Sequence, residues 1–118
     1  MKSVLKVINN EMQKLNIPYT FDGWDKEIEL PQFIGEISEV PTLDEDGLSE
    51  YSFILTGYAV KNDSDYLFEV TNQLKQHYKP SKTVDGVVIM YNNTIPIDTD
   101  TDDLKQTQTT LKIKKWSV

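Results

Sequence analysis

Apolar positions along the chain fall into two periodicities that take turns. In "SVLKVINNEMQKL", residues 3–15, Leu5, Ile8, Met12 and Leu15 recur at spacings of three and four, which places them on one face of a helix. Ser3 can cap the start of this helix, and Asn16 and Pro18 stop it. "YTFDGW" then alternates large aromatic with small or polar residues, the pattern of a strand that ends near Asp22 to Trp24. From Glu27, "EIELPQFIGEISEV" sets Ile28, Leu30, Phe33 or Ile34, Ile37 and Val40 among acids at a spacing close to two. That predicts a strand with one polar face, on which Pro31 has to sit at the edge or the start. Pro41 closes it. After "TLDEDGLSE", the run "YSFILTGYAV" is a second strand, rich in aromatic and branched residues, with Gly57 at a bulge. The two make a long hairpin whose tip is Asp44 to Gly47.

Asn62, Asp63, Ser64 and Asp65 are all competent N-caps, and "YLFEVTNQLKQHYK" places Leu67, Val70 or Thr71, Leu74 and Tyr78 on one helical face. Lys75, His77 and Lys79 fall in the last turn, where positive charge suits the helix dipole, and Pro80 ends the helix. "TVDGVVIMYNN" reads as a buried strand entered through an Asp85-Gly86 turn. "TTLKIKKWSV" reads as a terminal strand that sets Leu111, Ile113 and Trp116 against lysines, with the polar "DTDTDDLKQTQ" between the two. The expected fold is therefore α+β: a single mixed or antiparallel sheet with a long hairpin, element order α-β-β-β-α-β-β, and two helices packed on the sheet. A chain of 118 residues is the size of one domain, residues 1–118.

Composition narrows the function classes. Apolar residues make up 38% and charged residues 26%, as in a folded globular chain and unlike a disordered one. Residues 1–15 carry Lys2 and Lys6 but are broken by Asn9, Asn10 and Glu11, so they lack the continuous apolar stretch of a signal peptide or membrane span; a cytoplasmic protein with no membrane partner is the expectation. There is no cysteine, which removes disulfides and thiolate metal sites. All twelve basic residues are lysines and the net charge is −7, so specific nucleic-acid binding is disfavoured both by the missing arginine fork and by repulsion. The charge is also segregated: residues 22–50 hold ten acids against Lys26, whereas residues 104–118 hold four lysines and no acid. Such a chain can associate with copies of itself in a fixed orientation, or with a basic partner.

Each candidate for chemistry fails a specific requirement. "DTDTDD", residues 98–103, resembles the opening of a calcium loop, but where that loop needs glycine and glutamate this chain has Asp103 and Thr109. Asp44, Glu45 and Asp46 have no histidine or cysteine nearby to hold a metal, and a hairpin tip is too hydrated for paired-carboxylate catalysis. His77, the one histidine, has no cysteine or nucleophile elbow to activate and reads as a helix-terminal residue. The glycines never approach the spacing of a phosphate loop. Trp24, Tyr51, Phe53, Tyr58, Phe68 and Tyr91 lack the cationic groove that base stacking needs, and packing is their expected use. No catalytic residue, cofactor or metal site is predicted. The protein-interaction candidates are Asp44, Glu45 and Asp46 on the hairpin, meeting lysines of a neighbour such as Lys112, Lys114 and Lys115.

The succession of leading helix, "IPYTFDGWD", long hairpin with charged tip, "LTGYAV" before the second helix, "DGVVIMYNNTIPID" and closing "TLKIKKW" resembles the tail-terminator proteins of long-tailed bacteriophages and prophages, also described as tail-completion, head–tail joining or minor tail proteins. The resemblance spans nearly the whole chain through its architecture, with loose residue motifs. It implies a noncatalytic subunit of a homo-oligomeric, hexameric ring between the tail tube and the head connector, present in the host cytoplasm during assembly and then in the virion tail. DNA would pass through such a ring without being gripped. The alternative is a small acidic binding module, an immunity protein or DNA-mimic inhibitor that covers a basic enzyme.

Overall fold

A computed structural model of the chain describes residues 2–21, 32–40, 47–99 and 103–116. The elements are α1 (Lys2–Lys14), β1 (Tyr19–Phe21), β2 (Gln32–Val40), β3 (Leu48–Val60), α2 (Ser64–Tyr78, led in by a 3-10 turn at Lys61–Asp63), β4 (Lys82–Val84), β5 (Val87–Ile97) and β6 (Leu104–Trp116). The strands form one six-stranded sheet in the order β1-β2-β3-β6-β5-β4. Among the described residues, only the β1–β2 pair is parallel. The α+β class, the mixed single sheet and the long β2–β3 hairpin match the sequence reading. The predicted strand ends at Asp22 to Trp24, the positions Ile28, Leu30 and Pro31, Pro41 and the tip residues Asp44, Glu45 and Asp46 lie outside the described residues.

Strict alternation on β3 decides which face is buried. Tyr51, Phe53, Leu55, Gly57 and Ala59 face inward, and the intervening residues are only partly covered. On β6, Thr107, Thr109, Leu111 and Ile113 face the same way, because the register sets Phe53 opposite Leu111 and Tyr51 opposite Ile113. Helix α2 closes this face with Leu67, Val70, Leu74 and Tyr78, and α1 adds Val4, Val7, Ile8 and Met12 to the same core. Burial of these side chains supplies the main driving force, about 1.5–3 kcal/mol for each large aliphatic.

Four details depart from the sequence reading. Among the described residues there are six strands, because Lys82–Val84 forms its own short strand paired with Val87–Ile89. Asp85 (φ 50°) and Gly86 (φ 80°) make the tight hairpin between them, and positive φ at both turn positions matches the twist of the flanking strands. The inward face of α1 is Val4, Val7, Ile8, Glu11 and Met12, with Leu5 only partly buried, and Ser3 lies inside the helix instead of capping it. Strand β6 begins at Leu104, so "LKQTQ" is strand and not loop; its inward threonines are β-branched and fit the pleat. Trp116 is out of phase with Leu111 and Ile113 and stays 47% exposed.

Other punctuation works as read. Asn16 adopts φ 56° just past α1, the Ile17 amide reaches the Met12 carbonyl at 3.0 Å and the Asn16 amide reaches that of Gln13 at 3.0 Å. This six-to-one and five-to-two pairing is the left-handed C-terminal stop that asparagine tolerates. Gly57 is no bulge: its register with Phe33 and Thr107 is continuous, and the ladder irregularity falls in β5 between Tyr91 and Asn93. Glycine is required at 57 by space, since a Cβ there would meet the Phe33 ring inside van der Waals range, with Cδ1 at 2.9 Å. Gly57→Ala is expected to lower stability by about 1–3 kcal/mol through displacement of Phe33, readable as a drop in urea midpoint with the denaturant slope unchanged; an unchanged midpoint would refute the close-packing account.

Candidate interaction surface

Lys112, Lys114 and Trp116 alternate on the sheet face opposite the helices, near the end of β6. Their cross-strand partners on β3 are Ser52, Glu50 and Leu48. Lys114 lies 3.8 Å from the Glu50 carboxylate with both side chains about a third exposed, a contact that solvent holds to less than about 1 kcal/mol. Lys112 is exposed. A shallow cavity of about 180 Å³ lies beside them, lined by Val40, Glu50, Ser52, Lys112 and Lys114 among others. Lys115 points the other way: its ammonium donates to the Ser3 hydroxyl and ties the end of β6 to the start of α1. The six predicted interaction residues thus divide into three places. Lys112 and Lys114 share one face, Lys115 lies on the helix side, and Asp44, Glu45 and Asp46 lie outside the described residues.

Among the described residues, both margins of the sheet present strand edge without an outer partner. On one side β1 covers only Phe33–Gly35 of β2, leaving Glu36–Val40 with no outer partner among the described residues. On the other side β4 covers only Val87–Ile89 of β5, leaving Met90–Ile97 in the same condition. The second margin carries both a ladder irregularity at Tyr91/Asn93 and Pro96, devices that limit indiscriminate pairing. On the face away from the helices, Val60 and Ile95 are exposed.

At the other end of β6, on the helix side, the start of α2 and the β5–β6 strand ends frame a groove of about 340 Å³. Its lining includes Leu67, Phe68, Pro96, Asp98, Lys105 and Thr107. Phe68 is 57% exposed, the most open large hydrophobic side chain among the described residues. Thr107 is 4% exposed and its hydroxyl is buried without a hydrogen-bond partner, unlike Thr109, whose hydroxyl sits 2.9 Å from that of Thr94.

One cluster escaped the sequence reading. Glu11, 3% exposed, accepts a hydrogen bond from the Tyr78 hydroxyl at 2.8 Å; Lys14 Nζ lies 3.4 Å from its other oxygen and His77 Nε2 3.4 Å from the first. Lys82 Nζ is 3.2 Å from the same imidazole nitrogen. Burial opposes ionisation of Glu11, but the hydrogen bonds from Tyr78, Lys14 and His77 and the charge of Lys14 together outweigh it and hold the carboxyl below its ordinary value of 4.5. Burial, and then donation to Glu11 and the proximity of its charge, push the Tyr78 hydroxyl far above the usual phenol range. Glu11 and Tyr78 therefore join α1 to α2 across the core. His77 is more than a helix end, since its ring also packs edge-on against Tyr78 at 4.6 Å between centroids. The available signal was the spacing of Glu11 within the stripe Val4, Val7, Ile8, Met12, which a purely apolar template discards.

Among the described residues, no group of three or more histidine, cysteine, aspartate or glutamate side chains is placed to hold a metal ion. No helix among them is long and apolar enough to cross a membrane. No protein-family model matches the chain, and no curated protein matches it.

The Glu11 cluster gives a pH-dependent expectation. Because the folded carboxyl titrates below its unfolded value, its stabilisation is complete above about pH 4.5 and is lost as pH falls through the lower folded value. Glu11→Gln should flatten the acid limb of a stability-versus-pH curve, and Tyr78→Phe should cost about 1–3 kcal/mol at pH 7 by leaving the buried carboxylate short of a donor. Chemical denaturation between pH 3 and 8 reads both, and an acid limb that survives in Glu11→Gln would assign it to other groups.

Proposed function

We propose that this chain is a noncatalytic structural subunit of virion tail assembly: a tail-terminator or head–tail joining protein of a long-tailed bacteriophage or prophage, working as a hexameric ring of identical copies. It caps the tail tube and meets the head connector, acting first in the host cytoplasm and then within the virion tail. The observation that carries the reading is the pair of edges that have no outer partner among the described residues, Glu36–Val40 on β2 and Met90–Ile97 on β5, at opposite margins of one sheet. Unlike patches on opposite sides of a subunit support head-to-tail contacts, and head-to-tail contacts close into rings when the rotation between copies allows. The long β2–β3 hairpin, the α+β architecture and the resemblance of the chain's element order to that family add support. A net charge of −7 suits a ring through which DNA slides, because carboxylates repel phosphates.

The reading predicts that the purified protein forms rings or concentration-dependent oligomers, alone or on added tail-tube protein, in native mass spectrometry and electron microscopy. A strict monomer that instead forms a 1:1 complex with a basic nuclease and inhibits it would replace this reading with that of an acidic inhibitor. A hairpin variant carrying Asp44→Ser, Glu45→Ser and Asp46→Ser is expected to keep its stability within about 0.5 kcal/mol of the parent while assembling more weakly. Assembly at the parental level would remove the acidic tip from the contact.

A further inference from the structure

We propose that His77 is a proton-operated latch: the neutral imidazole holds Lys82 and fastens β4 to α2, and the imidazolium turns to Glu11 and releases β4 from the sheet margin. The latch goes beyond the assembly reading and does not depend on it.

One ring nitrogen has two claimants. His77 Nε2 lies 3.2 Å from Lys82 Nζ and 3.4 Å from Glu11 Oε1. An ammonium has only hydrogens to offer and a carboxylate only lone pairs, so Lys82 needs Nε2 bare while Glu11 needs it protonated. No state of the ring satisfies both. In the structure the contact to Lys82 is the shorter of the two at 3.2 Å, and Glu11 Oε1 already accepts from the Tyr78 hydroxyl at 2.8 Å. That arrangement fits the neutral tautomer with its hydrogen on Nδ1. A proton taken from solvent, which reaches a side chain left 27% exposed, puts a hydrogen on Nε2 as well. The nitrogen then donates to Glu11, and the Lys82 ammonium faces a second cation.

The charged groups around the ring act in both directions. From α1, the Glu11 carboxylate attracts the imidazolium, while Lys14, 3.4 Å from the other Glu11 oxygen, repels it. From β4, Lys82 repels it. Tyr78, edge-on to the ring, stays a neutral phenol because burial and its bond to Glu11 oppose ionisation. Lys75 on α2 and Lys79 just beyond it are exposed. Histidine is the side chain whose charge ordinarily changes between about pH 5 and 8, so the ring switches while carboxylates and ammonium groups in general keep their charges.

Strand β4 has little else to hold it. It has three residues, of which Lys82 and Thr83 are exposed, and it pairs with Val87–Ile89 alone among the described residues. Val84 packs against the core, and the side-chain hydrogen bond from β4 to a helix is that of Lys82 to His77. A short, exposed segment of this kind sits at the low end of local stability, where loss of one contact moves the open population. Opening β4 bares Val87–Ile89 and lengthens the unpartnered margin of β5 to Val87–Ile97.

Nuclear magnetic resonance on the full chain tests the latch. There is one histidine, so its ring signals identify themselves. At about pH 8 the ring nitrogen-15 shifts should report hydrogen on Nδ1; hydrogen on Nε2 instead would overturn the latch. Between about pH 8 and 5, protection of the β4 amides, corrected for intrinsic exchange, should fall about two- to fivefold in step with the ring titration, the size expected of an exposed charged contact. The α2 amides should keep theirs. Lys82→Met keeps the apolar stem and removes the ammonium, so β4 should already be at the lower protection at high pH and change no further. A ring that does not titrate in this range, β4 protection that ignores the titration, or protection that still falls with pH in Lys82→Met would each overturn the proposal.

Discussion

The β3–β6 ladder is the constraint on which the rest of the molecule depends. Thirteen consecutive pairs, from Leu48 opposite Trp116 to Val60 opposite Leu104, join the middle of the chain to its last strand without a register shift. Because side chains alternate, this one register fixes which residues of both strands face the helices. Slipping it by one residue would turn Phe53, Leu55, Leu111 and Ile113 to solvent. Strand β2 attaches to one side of the ladder and β5 to the other, so the two free margins inherit their positions from it. The same ladder sets the separation of the Phe68 groove from the Trp116 stripe. Since its partners are distant in sequence, its loop-closure entropy is lost before the contacts reward it, and topology of this kind folds slowly compared with a helical bundle.

The helices are held to that ladder partly by a polar device. A buried carboxylate is costly unless its lone pairs are met, and Glu11 has the Tyr78 hydroxyl, Lys14 and His77 within reach. Hydrogen bonding here fixes how α1 sits against α2, which apolar contacts alone specify loosely. Gln73 adds a bond from α2 to the Leu15 carbonyl at 3.1 Å, and Lys115 links β6 to Ser3. Three polar ties, two from α2 and one from β6, thus converge on α1, a helix whose apolar stripe is interrupted by a charge, and on the residue after it.

How much of this the sequence carries depends on whether a residue acts locally. The inward face of α2, the Asn16 stop, the Asp85-Gly86 turn and the β2–β3 hairpin were readable because each follows from spacing or from backbone preference over a few residues. The face of α1 was not, because the partners that make Glu11 tolerable, Tyr78 and His77, are far along the chain. The same limit hid the start of β6: Leu104 to Gln108, with Thr107 among them, look like loop residues until β3 and β5 on either side take them into the sheet. Gly57 read as a bulge because glycine in a strand has two meanings, and only the Phe33 ring across the ladder distinguishes them. For the interaction surface, the sequence located the lysines of β6 but not their division between two faces, nor the groove, which three separated segments build together.

Charge explains how a subunit with this surface would associate without aggregating. A net charge of −7 repels copies at distances where the molecule acts as a single charge. At contact, however, interactions beyond about 8–10 Å are screened in physiological salt, and only local complementarity counts. Lys112 and Lys114 stand out against an acidic molecule, so most approaches meet like charge while the approach of this stripe to an acidic surface does not. Exposed strand edges would ordinarily invite indiscriminate pairing; here Pro96, the irregularity at Tyr91/Asn93 and the surrounding carboxylates suppress it. In such an association, orientation would follow from which few cations escape the general negative field, and an edge would become usable only once a copy had been brought in by them.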